Sequence, residues 1–316
     1  MAVFEKEFSW CEFIDKCKSG QKIAVINNKS MEPRNYVKEF SEAIHNKCNV
    51  IDIELAYDPE NDGIINGNKT ISAPDALKEK IHTPEELTIV INITTMNLRL
   101  LGAILKYLKF NECIEIYCLY TEPRRYARNQ DNTGNFDLYR RMKSHDPILG
   151  YVSTNINHKP EKWIPFLGFE GKRALSIMNE YEFDDLVPVI TLPCYKPMWQ
   201  NIIIRENLFL LDNIKGSSIH YVEANSIAAA YDELSSLSTI YPDSLLRVSP
   251  FGTKINALGI LLYALSHEGE IDIVYDNPIE DGAAISKDVG KTHIFDITEY
   301  IEICKGDDFD GINNSN

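Results

Sequence analysis

The chain has 316 residues, of which 44% are hydrophobic and 25% charged, a balance that excludes a disordered, collagen-like or coiled-coil protein. Its 47 acidic residues outnumber 32 basic ones, so the net charge is −15. Because binding to duplex DNA depends on neutralising phosphates, this charge argues against non-specific duplex DNA binding, although a small anionic ligand can still sit in a local basic pocket.

Predicted strands and helices alternate through the first part of the chain. Apolar residues at nearly helical spacing predict a first helix over 3–18, and an Asn-, Asp- and Gly-rich stretch over 58–70 predicts a surface loop. The remaining predicted elements are strands over 23–26, 50–55, 87–93 and 114–120, and helices over 35–47 and 98–108.

The same alternation returns after a polar segment. The elements predicted there are strands over 163–167, 186–192, 219–222, 245–248, 271–275 and 293–297, and helices over 171–181, 198–214, 227–237 and 254–265. Strands that alternate with helices of this length are typical of βαβ units. The sequence therefore predicts an α/β protein with Rossmann-like, mostly parallel sheets, helices on both sheet faces, and two lobes.

Changes in composition predict where these lobes begin and end. We expect an N-terminal Rossmann-like lobe over 1–126, a loop-rich connector over 127–160, a C-terminal Rossmann-like lobe over 161–301, and an acidic, Asn-rich disordered tail over 302–316.

The cysteines, the histidines and the N-terminus predict a reducing, cytoplasmic location and no metal. The seven cysteines form no C-x-x-C pair, which favours buried free thiols, and the seven histidines show no metal-ligand spacing. No signal peptide or apolar stretch of roughly 20 residues is present, so no membrane contact is expected, and no motif indicates a particular cofactor.

The most informative loop is the turn Gly252-Thr253-Lys254 between a predicted strand and an apolar helix. In open parallel sheets, ligands bind where strands end. Gly252 allows close backbone approach, the helix N-terminus suits a phosphate, and Thr253 and Lys254 add a hydroxyl and a positive charge. The alternative is an ordinary helix start capped by Thr253.

This strand, Gly-Thr-Lys turn and small-residue helix resembles the signature segment of CARF domains, the CRISPR-associated Rossmann folds, and of the related SAVED sensors. Gly252, Thr253 and Lys254 carry the match. In those families the segment helps to bind cyclic oligonucleotides or other nucleotide second messengers. The resemblance implies a nucleotide sensor of bacterial anti-phage defence, which would be compatible with a homodimer and with a protein partner from a defence operon.

A second loop joins a predicted strand to a predicted helix and contains two glycines, Gly168 and Gly171. Lys172 and Arg173 follow and could bind phosphate or ribose. Glu170, set between the glycines, is a candidate general acid or base. The alternative is a Gly-rich turn with solvated charges.

Three further loops follow predicted strands. Arg124 and Arg125 have the chemistry for phosphate recognition, Asn28 lies in a polar loop, and Tyr195 and Trp199 offer flat faces for a base. The alternatives are a solvated basic loop for the arginines and core packing for the aromatic residues.

Three functions stay open on these residues. The leading hypothesis is a nucleotide or cyclic-oligonucleotide binding protein whose basic and aromatic loop residues hold phosphates and a base in a cleft between the lobes. The second is a hydrolase that cleaves a nucleotide or N-glycosidic bond with Glu170. The third is a non-catalytic scaffold that binds a protein or RNA partner.

Overall fold

The computed structural model describes residues 5–30, 32–35, 37–126, 141–142, 148, 150–153, 159–214, 216, 218–279 and 286–312. The strands in this part of the chain are β1 (Lys6–Ser9), β2 (Lys22–Asn28), β3 (Asn49–Leu55), β4 (Tyr57–Asp58), β5 (Gly63–Asn66), β6 (Lys69–Ile71), β7 (Thr88–Asn92), β8 (Glu115–Tyr126), β9 (Arg141–Met142), β10 (Glu161–Leu167), β11 (Asp185–Leu186), β12 (Val189–Thr191), β13 (His220–Val222), β14 (Leu245–Pro250), β15 (Ile271–Ile273), β16 (Pro278–Ile279) and β17 (Ser286–Asp296). The helices are α1 (Trp10–Lys16), α2 (Lys38–Lys47), α3 (Ala73–Lys80), α4 (Leu98–Lys109), α5 (Gly171–Glu180), α6 (Trp199–Glu206), α7 (Leu208–Leu211), α8 (Ile227–Ile240), α9 (Lys254–Ser266) and α10 (Thr298–Ile312).

The chain is an α/β protein that forms two compact units. Unit 1 comprises residues 1–127 and 280–316, and unit 2 comprises residues 128–279. None of the helices in the described part of the chain has the length and apolar character needed to cross a membrane.

Unit 1 is built on a six-stranded sheet in the order β1-β17-β8-β7-β2-β3. The four strands β3, β2, β7 and β8 are parallel, whereas β17 runs antiparallel to both β8 and β1. The residues of β7 are all buried, as are Ile23–Ile26 in β2. Such continuous apolar runs are typical of parallel strands that are covered on both sides.

Unit 2 contains a parallel sheet in the order β13-β12-β10-β14-β15, with β11 also paired to β10. Counted along the chain, β10 is the first strand of this order, β12 the second and β14 the fourth. The first strand therefore lies between the second and the fourth. This is the order of a Rossmann-like sheet. Strands that follow β10 in sequence are first added on one side of it, as β12 and β13, and then on the other side, as β14 and β15, so the strand order reverses between β10 and β14.

Helix α9 follows β14 and is buried on every side from Ile255 to Ser266. A helix that is hydrophobic all round fits only inside the protein. Gly259 allows close packing with α8, because a Cβ atom there would lie 2.4 Å from the carbonyl oxygen of Ile227. The start of α9 is thus held in a fixed place at the end of β14.

Two predicted boundaries of the second lobe differ from the structure. The last predicted strand of the 161–301 lobe belongs to β17, which pairs with β8 in unit 1, so that Phe295 lies opposite Cys118. The predicted disordered tail over 302–316 begins inside α10, where Cys304 is fully buried. A local pattern cannot reveal the pairing of β17 with β8 or the burial of Cys304, because each depends on residues distant in sequence.

Some local predictions also needed correction. Residues 6–9 of the predicted first helix form β1, and Ser9 then caps α1 through hydrogen bonds with Glu12. The predicted loop over 58–70 contains most of the three-stranded sheet β4-β5-β6. The predicted connector over 127–160 lies mostly outside the described residues.

Candidate functional site

Four loops lie at the carboxyl edge of the parallel sheet of unit 2. They follow β10, β12, β13 and β14, and they comprise residues 168–170, 192–198, 223–226 and 251–253. This edge is where ligands bind in open parallel sheets, and the reversal of strand order lies between the first and last of these loops.

The backbone carbonyl oxygen of Ala224 connects three of the loops. It accepts one hydrogen bond from the hydroxyl of Tyr195 at 3.1 Å and another from the hydroxyl of Thr253 at 2.8 Å. The side-chain amide of the fully buried Asn256 donates to the carbonyl oxygen of Glu223 at 2.8 Å. Tyr195 and Thr253, two residues predicted separately as ligand contacts, are therefore held at one place.

Thr253 is the N-cap residue of α9. Its Oγ1 accepts a hydrogen bond from the backbone N–H of Asn256 at 3.1 Å. The structure therefore contains the helix cap that is the alternative interpretation of Thr253. Its hydroxyl accepts a hydrogen bond from Asn256 and donates one to Ala224. Lys254 is the half-buried first residue of the helix, at the positive end of the helix dipole.

The three predicted glycines have different surroundings. A Cβ atom at Gly168 would lie 1.9 Å from the carbonyl oxygen of Phe251, and one at Gly171 would lie 1.8 Å from that of Glu206. A Cβ atom at Gly252 would meet nothing closer than 3.5 Å. Gly168 and Gly171 are therefore required by the packing of the chain against itself, whereas a Cβ atom at Gly252 would make only ordinary van der Waals contacts.

Arg173 was predicted to bind phosphate, but the structure gives it a different role. It is 7% exposed, and its Nε and Nη2 donate to the two carboxylate oxygens of the fully buried Asp276 at 2.7 and 2.6 Å. Its Nη1 donates to Glu170 at 3.1 Å. Burial opposes the charge of the guanidinium, but Asp276 and Glu170 outweigh that effect and raise the pKa of Arg173. Arg173 is therefore the centre of an internal ion-pair network.

This network also determines the environment of Glu170. Its side chain is buried and one carboxylate oxygen already bonds Arg173. A general base needs an oxygen within reach of its substrate. The described contacts of Glu170 support a structural role, and its predicted catalytic role stays a prediction.

An aromatic and cationic group lies where the loops after β10 and β12 meet. The ring of Phe169 contacts the ring of Trp199 edge-on at a centroid distance of 5.2 Å, and Nζ of Lys196 lies 5.2 Å from the centre of the Trp199 ring. All three side chains are half-buried. Neighbouring Lys172, the first-turn residue of α5 that was predicted to bind phosphate, is exposed.

The other predicted residues lie in unit 1. Asn28 is buried at the end of β2, where its side chain donates to the carbonyl oxygen of Thr95 at 3.2 Å, so it joins two loops of that unit. Arg124 and Arg125 are exposed on β8, and Arg125 forms an ion pair with Asp288 at 2.7 Å. These residues do not belong to the loop cluster of unit 2.

Three groups that shape this edge are not among the predicted site residues: the Ala224 carbonyl oxygen, Asn256 and Thr191. Asn256 was detectable, because it is a polar residue in an otherwise apolar helix. The hydroxyl of the buried Thr191 donates to Asn256 at 3.4 Å, but its position at the end of β12 carries no distinctive pattern. Ala224 acts through its backbone, which no side-chain motif could indicate.

Within the residues that the structure describes, no group of three or more His, Cys, Asp or Glu side chains is arranged to hold a metal ion. The sequence matches no protein-family model and no curated protein at a significant level.

Proposed function

We propose that unit 2 binds a nucleotide-like anionic ligand at the carboxyl edge of its parallel sheet, with a phosphate group at the start of α9. The fixed N-terminus of α9 at this edge, beside the reversal of strand order, is the observation that carries this proposal. This N-terminus is held in place from both sides, by the buried body of α9 and by the hydrogen bond from Thr253 to Ala224. A helix start of this kind offers backbone N–H groups and a positive dipole end to an anion.

Charge and aromatic surface near this edge fit the rest of a nucleotide. Lys254 adds a positive charge in the first turn of α9, and Lys196 adds another beside Trp199. An indole ring is a sequence-tolerant surface for a nucleobase. Because Arg173 is neutralised inside the protein, these two lysines are the cations that this proposal assigns to ligand binding.

The resemblance of Gly252-Thr253-Lys254 to CARF and SAVED domains extends the proposal to a ligand class and a role. A cyclic oligonucleotide or another nucleotide messenger is the first ligand to test, and the protein would act as a sensor or partner subunit in bacterial anti-phage defence. The hydrolase hypothesis has weaker support, because the carboxylate of Glu170 is engaged by Arg173.

The test is a binding assay with the full chain. The purified protein is incubated with NAD, ATP, deoxynucleoside triphosphates and cyclic di-, tri- and tetranucleotides, and retained and free fractions are separated by ultrafiltration and identified by liquid chromatography and mass spectrometry. We expect one class of nucleotide to be retained unchanged. Lys254→Ala should weaken its binding by about 10- to 150-fold, the range for losing a hydrogen bond to a charged group.

The matched control is Lys78→Ala, which removes the same charge from an exposed helical position in unit 1. It should leave affinity unchanged. Equal affinity in the Lys254→Ala variant and the native chain would refute the site. A retained ligand that is chemically converted would favour the hydrolase, whereas no retention of any nucleotide would favour the scaffold.

A further inference from the structure

Two cysteines of unit 1 lie next to each other, although they are 31 positions apart in sequence. Cys17 directly follows α1 and Cys48 directly follows α2. The two residues are 6% and 7% exposed and belong to one hydrophobic cluster. The Sγ atom of Cys48 donates a hydrogen bond to the carbonyl oxygen of Lys18, the residue directly after Cys17, at 3.8 Å. All seven cysteines of the chain are free thiols in this structure.

Backbone contacts on both sides keep these two segments together. The N–H of Gly20 donates to the carbonyl oxygen of Lys47, and the N–H of Asn49 donates to that of Gln21, each at 2.9 Å. The ammonium group of Lys47 donates to the carbonyl oxygen of Ile14 at 2.7 Å, in the last turn of α1. The proximity of the two cysteines therefore follows from the fold of unit 1 rather than from two flexible side chains.

We infer that Cys17 and Cys48 are a redox-responsive pair that forms an intramolecular disulfide when a small disulfide such as oxidised glutathione accumulates. The thiolate of one cysteine attacks a sulfur atom of the oxidant, forms a mixed disulfide and releases one reduced thiol. The second cysteine then attacks the protein sulfur of that mixed disulfide and releases a second thiol. Two electrons and two protons pass from the protein thiols to the two released molecules.

Burial makes this pair slow to react. Burial, together with the neighbouring Cys48, raises the pKa of Cys17 to about 12, and burial also raises the pKa of Cys48. Because the thiolate is the reacting form, few molecules are reactive at neutral pH. The pair should therefore respond to sustained oxidation rather than to a brief pulse, and it should react more slowly than the exposed Cys11.

The disulfide would close a loop that contains β2 and α2. Such a link restricts the unfolded chain and so lowers its conformational entropy. We therefore expect oxidation to raise the midpoint of thermal unfolding of unit 1 by about 5–10 °C, on the usual scale for a loop of this length. Reduction should reverse the change.

The test equilibrates the full chain in a series of buffers with increasing ratios of oxidised to reduced glutathione. Samples are quenched in acid, unfolded in N-ethylmaleimide and digested without reductant for peptide mapping. We expect a peptide pair joined through Cys17 and Cys48, lighter than the two reduced peptides by two hydrogen atoms, that increases with the oxidised fraction and disappears after reduction. A Cys11→Ser variant should form the same link.

Two results would overturn the inference. In one, Cys11 becomes glutathionylated, which proves that the oxidant acts, while Cys17 and Cys48 are both alkylated in every sample. In the other, either cysteine is joined to a different residue of the chain. The Cys48→Ser variant provides a second check, because Cys17 should then stop at a mixed disulfide with glutathione or stay reduced.

Discussion

Tyr195 and Thr253 donate their hydroxyl protons to the same acceptor, the backbone carbonyl oxygen of Ala224, over 3.1 and 2.8 Å. Tyr195 follows β12 and Thr253 follows β14, while Ala224 follows the edge strand β13. A single backbone oxygen thus fixes the relative positions of three loops. The start of α9, where we propose that phosphate binds, is one of the groups held in this way.

Removing the hydroxyl of Thr253 should lower the stability of unit 2. Thr253→Ala loses both the cap of α9 and the bond to Ala224, and we expect the free energy of unfolding to fall by about 1–2 kcal/mol. Urea denaturation followed by circular dichroism measures this change. Thr253→Ser retains an oxygen and a proton in the same place and should stay within about 0.5 kcal/mol of the native chain. Equal losses in the two variants would show that the hydroxyl is not responsible.

Substitutions of the three loop glycines should separate packing from ligand binding. Gly168→Ala and Gly171→Ala each place a methyl group less than 2 Å from a backbone oxygen, so each should destabilise unit 2 by about 3 kcal/mol or prevent folding. Gly252→Ala makes only ordinary contacts, beginning at 3.5 Å, and should change stability by less than about 1 kcal/mol.

The Gly252→Ala variant then tests the proposed site itself. Because its added methyl group lies in the turn that enters α9, where we propose that the phosphate binds, it should bind the retained nucleotide more weakly while its melting temperature is nearly unchanged. Thermal unfolding measures the melting temperature, and ultrafiltration of the same sample measures the affinity for the nucleotide. Full affinity in a folded Gly252→Ala protein would place the ligand elsewhere.

The Arg173 network should be important for stability. Arg173→Ala leaves the carboxylate of Asp276 buried without its guanidinium partner, and we expect a loss of about 3–5 kcal/mol in the free energy of unfolding. Arg173→Lys keeps the positive charge but cannot form the bidentate bond to Asp276, so its free energy of unfolding should fall by less than that of Arg173→Ala. Denaturant titration of the native chain and the two variants ranks their free energies of unfolding. An Arg173→Ala protein as stable as the native one would argue against a structural role.

Glu32 should make unit 1 sensitive to acid. It is 8% exposed and accepts hydrogen bonds from Nε of Arg34 at 2.8 Å and from the N–H of Ser286 at 3.2 Å. Burial opposes the carboxylate charge, but the bonds from Ser286 and Arg34 outweigh it and lower the pKa of Glu32 below 4.5. Since the folded state then binds the proton more weakly than the unfolded state, this contribution to stability is complete above pH 4.5 and is lost as the pH falls through the folded-state pKa.

Glu32→Gln should therefore reduce stability at neutral pH and flatten its dependence on pH below 4.5. Urea titrations over a series of pH values measure the slope. Glu39→Gln removes the same charge from an exposed position on α2 and should leave the slope as it is in the native chain. Parallel slopes for the Glu32 variant and the native chain would mean that another group controls the acid response.

Much of the secondary structure could be predicted, because it depends on local patterns. Continuous apolar runs indicated β2, β7 and β10, and the apolar stretch after Gly-Thr-Lys indicated α9, all close to their observed bounds. The predicted α/β class is confirmed. The helical spacing over 3–18 was misleading for β1, because four residues of a strand and one turn of a helix cannot be distinguished by so few apolar positions.

The candidate site was less predictable, because its chemistry depends on partners distant in sequence. Arg173 has the composition of a phosphate ligand, and only Asp276, which lies 103 residues away, shows that its charge is used internally. Gly168 and Gly171 looked like Gly252 in sequence, and only the backbone oxygens opposite them distinguish the three positions.

Local sequence patterns were sufficient to predict the alternation of strands and helices, the order in which polar loops follow them, and the Gly-Thr-Lys turn at the start of α9. Each of these depends on residues within a few positions of one another. Only the folded chain shows that β17 pairs with β8, that Arg173 bonds Asp276, and that Tyr195 and Thr253 meet at Ala224. Those pairings arise from long-range packing and from backbone groups, whose positions no side-chain pattern records.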